Sequence, residues 1–304
     1  MTTVAAIDVG TNSTRLLIEG DEGTLERITH ITRLGRGVDD TGRLSDEGIA
    51  VTVEVLTEYR SIMDQHAVDR VRIAATSASR DAANAETFFD AAEIAAGVRP
   101  ELLSGQEEGR LAFAGATAGL TPDQGPFLVV DIGGGSTEFI LGDSRGVQGV
   151  WSADMGSVRL TERYLEHDPP RPEELLACIS VAKTHLDDVQ REIPGAQSAP
   201  TMVGVAGTIT TIAAIELGLA EYDRETIHHF VLKKDAIEDV FRTLATEALN
   251  DRRHNPGLAP ARADIIVAGS AILAAVMRWA EAEEMLVSES DILDGLAADL
   301  RARP

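Results

Sequence analysis

Asp131 closes the apolar, β-branched run Val129-Val130 and is followed, after Ile132, by Gly133, Gly134, Gly135, Ser136, Thr137 and Glu138. The chain then returns to apolar residues at Phe139-Ile140, so the pattern reads as strand, tight turn, strand. Glycine has no Cβ, and such a turn can bring several backbone N–H groups against an anion. A carboxylate at the mouth of the loop can hold a divalent cation against a phosphate. The same arrangement occurs earlier, in Ile7-Asp8-Val9-Gly10-Thr11-Asn12-Ser13-Thr14. Laid over each other, Asp8 meets Asp131, Gly10 meets Gly133 and Ser13 meets Ser136. The chain therefore carries an internal duplication, and two similar halves facing one site are expected.

Further hydroxyl-rich turns share this chemistry. Val71-Arg72-Ile73-Ala74-Ala75 leads into Thr76-Ser77-Ala78-Ser79-Arg80, and Met202-Val203-Gly204-Val205 into Ala206-Gly207-Thr208. Each runs from strand to helix start, where unpaired N–H groups attract anions. A capped helix with a solvated Arg80 is an equally open reading of the first. Glu107 and Glu108 fall in the first turn of a helix opening at Ser104-Gly105, where the helix dipole favours acid. Adjacent helical positions point about 100° apart, so at most one of the two can serve a shared site. His228 and His229 have no metal-ligand spacing to each other and no Cys partners, and a structural role is expected.

Around these residues the chain predicts alternating strands and helices. Leu25 to Leu34 alternates as a further strand, and Ser45 begins a helix reaching about Met63. Pro172 opens an amphipathic helix with Leu175, Ile179, Ala182, Leu186, Val189 and Ile193 on its apolar stripe, and Cys178 lies in it as a small hydrophobe. Ile237, Val240, Phe241, Leu244 and Ala248 mark another helical stripe, and Gly269 invites close packing in a helix after Arg262-Ala263-Asp264. Met285 to Leu296 reads as strand, N-capped turn and final helix. The turn-rich Thr121–Pro126 break sets the expected domain boundary, 1–124 and 125–304.

With 304 residues and 44% hydrophobic content, the chain can build two ordinary domain cores. Fifty acidic against 27 basic residues give a formal charge of −23, which argues against nucleic-acid or anionic-membrane partners. Any phosphorylated substrate must then be met by local cations, backbone N–H groups or a metal ion. A halophilic host would produce a similar charge. The lone Cys178 points to a reducing compartment and a cytoplasmic location, and the start shows no signal-peptide pattern. Ile193 to Ile215 contains no charged residue, but Pro194 and Pro200 with three glycines make loop, buried strand and helix start the better reading than a membrane span. There is no GxxxxGK[ST] phosphate loop, no GxSxG elbow and no Cys/His ligand cluster.

Taken together, Ile7–Ser13, Thr76–Asn84, Ser104-Gly105-Gln106-Glu107-Glu108, Asp131–Glu138, Gly156-Ser157-Val158-Arg159, Gly204–Thr208 and Arg262-Ala263-Asp264 resemble the exopolyphosphatase and guanosine pentaphosphate phosphohydrolase family. The blocks run in order over essentially the whole chain. The single Asp-x-Gly turns occur throughout the wider actin, sugar-kinase and Hsp70-like superfamily, but the combination is specific. The resemblance implies an α/β fold of two ribonuclease-H-like (actin-like ATPase) domains, each a mixed sheet flanked by helices, with an interdomain cleft. It also implies hydrolysis of the terminal phosphoanhydride of inorganic polyphosphate, of pppGpp, or of both, with Mg2+ or another divalent metal ion.

By the same resemblance Glu108 is the general base and Asp131 a second catalytic residue. Asp131, Glu138 and Asp8 are the implied metal ligands. Thr11, Asn12, Ser13, Arg80, Gly133, Gly134, Gly135, Ser136, Gly207 and Thr208 are the implied phosphate contacts. Longer relatives carry extra C-terminal helical domains, whereas this chain ends soon after its second half. A short-chain polyphosphate substrate, or a groove formed by a homodimer, is expected from that. A pppGpp 5′-phosphohydrolase would use the same residues. A non-catalytic polyphosphate or alarmone sensor would not need Glu108, and a superfamily kinase would not match the Glu-Glu block.

Overall fold

The computed structural model describes residues 2–303, which form two compact units. Of the described residues, the first comprises 2–115 and 291–303, the second 116–290. This differs from the boundary expected at 124/125. The division falls inside the helix Gly105–Thr117, ahead of the turn-rich break, and the final helix, Ile292–Ala302, packs with the first unit instead of the second. Turn composition marks where a chain bends, but not which sheet a distant helix covers.

The first unit is built on a five-stranded mixed sheet of β1 (Val4–Val9), β2 (Thr14–Gly20), β3 (Gly23–His30), β4 (Arg70–Ala75) and β5 (Glu101–Leu102), in the order β3-β2-β1-β4-β5. β1 is antiparallel to β2 and parallel to β4. Every residue of β1 is buried, as a central strand covered on both faces requires. Side chains alternate between the faces. Ala5, Ile7 and Val9 pack with Leu56, Tyr59, Phe88 and Phe89 of the helices Asp46–Gln65 and Ala85–Ala96. Val4, Ala6 and Leu17 pack on the other face with Ala112, Ile292, Leu293, Leu296 and Leu300. Asp8 therefore belongs to the face covered by the helices Gly105–Thr117 and Ile292–Ala302.

Ion pairs fasten that last helix across the sheet. Arg15 reaches Asp291, Arg27 reaches Asp294, Arg72 reaches Asp299 at 2.7 Å and Arg301 reaches Glu19 at 3.3 Å. The helix comes close because Gly295 lacks a Cβ, which would otherwise overlap the Leu111 carbonyl. Asp291 caps the helix, accepting from Leu293 N at 2.9 Å.

The second unit contains β6 (Phe127–Ile132), β7 (Thr137–Asp143), β8 (Gly146–Ala153), β9 (Thr201–Val205), β10 (Val231–Lys233) and β11 (Glu284–Val287), ordered β10-β11-β9-β6-β7-β8. Read from β8 to β11, the order and directions repeat the first sheet from β3 to β5, with β10 added at the edge. These are the two helix-flanked mixed sheets expected, and the duplication seen in the sequence extends to strand order. The helices Pro172–Glu192 and Ile266–Trp279 bury their stripes against this sheet, with Cys178 fully inside.

Candidate active site

Register places the chemistry. In the first unit Asp8 on β1 lies opposite Arg15 on β2; in the second, Asp131 on β6 lies opposite Glu138 on β7. Facing residues of an antiparallel pair project to the same side. The duplicated loops therefore present different pairs, carboxylate with guanidinium in one and two carboxylates in the other. Both turns close with the same bond, Gly10 N to Ser13 O at 2.9 Å and Gly133 N to Ser136 O at 3.0 Å.

In the second unit the glycine loop is oriented by the helix Ser157–Tyr164. Its first-turn N–H groups have no partners within the helix. They bond instead to the loop carbonyls: Ser157 N to Gly133 O at 3.0 Å, Val158 N to Gly134 O at 2.9 Å and Arg159 N to Gly134 O at 3.1 Å. Arg159 adds Nε to Gly135 O at 2.7 Å. Gly156 permits this approach, since a Cβ there would overlap the Gly134 carbonyl. Asp131 and Glu138 are both buried, and Glu138 Oε1 accepts from the Ser136 and Ser152 hydroxyls, each at 2.7 Å.

Beside this loop, β9 runs into the helix Ala206–Glu216 with Thr208 buried in its first turn. Gly269 lets the helix Ile266–Trp279 come up against Thr208 and Ser157, the close packing its sequence position suggested. Two cations outside the expected site residues stand here. Arg159 braces the glycine loop, and the Arg262 guanidinium lies over the Cα of Gly207, where a Cβ would collide with it. Both belong to the blocks that carried the resemblance, but neither has a spacing of its own to a strand-end Asp, so neither carries an individual signal in the sequence.

Glu108, the expected base, lies in the first unit. Ser104 and Glu107 cap the helix Gly105–Thr117 reciprocally: Glu107 Oε2 accepts from Ser104 N at 3.1 Å and Ser104 Oγ at 2.9 Å, while Ser104 Oγ accepts from Glu107 N at 3.3 Å. These bonds hold the exposed Glu107 carboxyl below its ordinary range. Glu108 turns inward, is 9% exposed, and accepts from Arg80 Nη1 at 2.5 Å. Burial pushes its carboxyl up to about 7, with Arg80 opposing the rise and the nearby Asp8 charge adding to it. Capping thus accounts for one glutamate of the pair and leaves the other with the proton affinity of a base working near neutral pH.

Asp8 Oδ2 accepts from Arg15 Nε at 3.0 Å and Nη2 at 2.7 Å, and Arg15 also bonds Asp291. Burial raises the Asp8 carboxyl, and Arg15 only partly offsets it. Burial also pushes Asp291 upward, but Arg15 and Arg27 together outweigh it and leave that carboxyl lowered. Thr11 and Asn12 are buried in the turn above, and among the described residues Asn12 Nδ2 has no hydrogen-bond partner, nor does the buried Ser79 Oγ on the Arg80 turn. Unpaired buried polar groups cost roughly 1–3 kcal/mol each, and phosphate oxygens would satisfy both.

For a divalent metal the Asp131–Glu138 pair is a suitable hard-oxygen donor set; magnesium completes its shell with water and phosphate oxygens rather than an all-protein cage. Asp8 fits this role less well, because one of its oxygens is bound by Arg15. Among the described residues, three ligand atoms converge only at Glu166, His167 and Glu174. There Glu174 already caps its own helix, accepting from Arg171 N at 2.8 Å and bonding His167 Nδ1 at 2.7 Å. His228 and His229 stack at 3.8 Å, with His228 Nδ1 accepting from Glu289 N, a structural arrangement.

Residues 18–302 match the model of the Ppx/GppA phosphatase family. The chain belongs to that family. Exopolyphosphatase 2 of Mycobacterium tuberculosis is 39% identical over 317 residues, covering 99% of each chain. The crystal structure of an exopolyphosphatase-like protein superposes with a TM-score of 0.94 at 36% identity, over 98% of each chain. The guanosine-5'-triphosphate,3'-diphosphate pyrophosphatase of Photobacterium profundum is 29% identical over 98% of this chain but only 59% of its own length. Like its relatives, this Ppx/GppA phosphatase is a phosphoanhydride hydrolase.

Proposed function

We propose that the protein is an exopolyphosphatase that removes the terminal phosphate of short inorganic polyphosphate. The observation that carries this is Glu108, a buried carboxylate held by Arg80 with its proton affinity raised to about 7. Glu108 takes the proton of the attacking water, the water oxygen bonds the terminal phosphorus, and the P–O bond of the anhydride breaks. Orthophosphate and a chain one phosphate shorter leave. In the second unit the N–H groups of Gly134 to Ser136 on the Gly133–Ser136 loop, with Gly207 and Thr208, and in the first unit Thr11, Asn12, Ser13 and Arg80, are the phosphate contacts of this proposal, each able to stabilise charge on phosphate oxygens.

A divalent ion, magnesium by its oxygen donors, belongs with Asp131 and Glu138 and neutralises phosphate charge when bound. Asp8 acts with Arg15 at the first loop. A cytoplasmic homodimer is part of the same proposal. The charge of −23 and the single cysteine support the cytoplasmic location. No described helix is long and apolar enough to cross a membrane. The pppGpp 5′-phosphohydrolase reading uses the same residues and is supported by the 29% relative.

The test is orthophosphate release from short polyphosphate and from pppGpp, with magnesium, for wild type and Glu108→Ala. Losing a general base should slow release about 10²–10⁴-fold. Faster release from pppGpp would transfer the proposal to that substrate. Binding of both without release would favour the sensor.

A further inference from the structure

We propose that Arg252 is a positioning residue for phosphate binding, fixing the loop that places Arg262 over Gly207. The proposal rests on reading the start of the Ala206–Glu216 helix as a phosphate site.

Arg252, on the short helix Leu249–Arg252, is 2% exposed, and a charge so buried persists only when its donors are used. Its fork joins four acceptors from three segments. Nε donates to Leu244 O at 2.9 Å, Nη1 to Ala263 O at 2.9 Å, and Nη2 to Glu247 O at 2.6 Å and Asp168 Oδ1 at 3.3 Å. The acceptor at Ala263 is the one that matters here, because Ala263 follows Arg262. Gly257 forms a second anchor on the other side. It has φ +81° and lies against the Ala214–Ile215 backbone of the Ala206–Glu216 helix, where no Cβ would fit. Between these anchors the chain makes one turn, Pro260–Arg262. Its backbone is therefore tied to the helix whose first turn its guanidinium covers.

A long side chain amplifies errors of its own backbone, and displacements of about 1 Å at a binding group can cost on the order of 100-fold. Lysine at 252 would keep the charge but present its donors from a single nitrogen, which cannot span Leu244 O and Ala263 O as the fork does. The tie to Ala263 should be lost while the charge remains.

The experiment measures kcat and KM for short polyphosphate with magnesium in wild type, Arg262→Ala, Arg252→Lys and the double variant, with circular dichroism as the check on folding. Arg262→Ala should raise KM about 10–100-fold, as loss of charge-assisted hydrogen bonds does. An unchanged KM there would sink the underlying phosphate-site reading, and the proposal with it. Arg252→Lys should raise KM about tenfold with kcat within about twofold, yet by less than about twofold once Arg262 is gone, since residues acting through one another are not additive. An equal rise in both backgrounds, or no rise in a folded Arg252→Lys protein, overturns the positioning role. Should Arg252→Lys fail to fold, Asp168→Asn weakens the same fork from its exposed end. A KM rise of about two- to threefold that vanishes with Arg262→Ala then supports the role, and an unchanged KM refutes it.

Discussion

Lowering the pH from 8 to 6 should slow hydrolysis about tenfold through one group, Glu108. Burial raises this carboxyl from its ordinary 4.5 to about 7, against the opposing charge of Arg80 and, to a smaller extent, Arg15, and with the help of Asp8. The ionised fraction available to accept a proton from water is then about 90% at pH 8 and about 10% at pH 6. A solvated glutamate would be ionised at both. The assay is kcat/KM for orthophosphate release from pH 5 to 9 at saturating magnesium, in wild type and Glu108→Gln. Phosphate groups of the substrate also titrate near pH 6, so the residual activity of the variant supplies the control, and a limb due to substrate persists in it. A flat wild-type profile from pH 5.5 to 8, or an acidic limb unchanged in Glu108→Gln, would refute the reasoning.

The same shift has a stability counterpart. Because the folded-state value is raised, Glu108 contributes stability that is fully present below about pH 4.5 and lost as pH rises through about 7. The interval corresponds to about 3 kcal/mol, so Glu108→Gln should gain up to that amount on wild type at pH 8 and little at pH 4, read from denaturant unfolding. Glu138→Gln keeps an acceptor for Ser136 and Ser152 but removes the charge facing Asp131; the magnesium concentration for half-maximal rate should rise about tenfold or more, with little change in melting temperature. Gly156→Ala would press a methyl onto the Gly134 carbonyl and shift the loop; a KM for polyphosphate equal to wild type would contradict the loop's role. Gly295→Ala should lower stability by about 1–3 kcal/mol in thermal melting, because overlap with the Leu111 carbonyl exceeds the roughly 1 kcal/mol that alanine gains in a helix.

Much of this was legible in the chain. Alternation and glycine placement gave both strand–turn–strand units, the repeat of Asp8–Ser13 at Asp131–Ser136 announced two similar sheets, and capping logic limited Glu107 and Glu108 to one free carboxylate. These are local properties, set by backbone sterics and by residues a few positions apart. Other features join residues far apart in sequence. The final helix returns to the first unit because Arg15, Arg27 and Arg72 meet Asp291, Asp294 and Asp299, partners more than two hundred positions away. Only register revealed that Asp8 faces a guanidinium while Asp131 faces a carboxylate, which separates the two loops chemically. Only burial raised Glu108 to a proton affinity useful near neutral pH, and only the packing of the 257–263 segment set Arg262 over Gly207. The sequence determined which residues could do this chemistry; desolvation and cross-strand pairing, which exist only in the folded chain, decided which of them are equipped to do it.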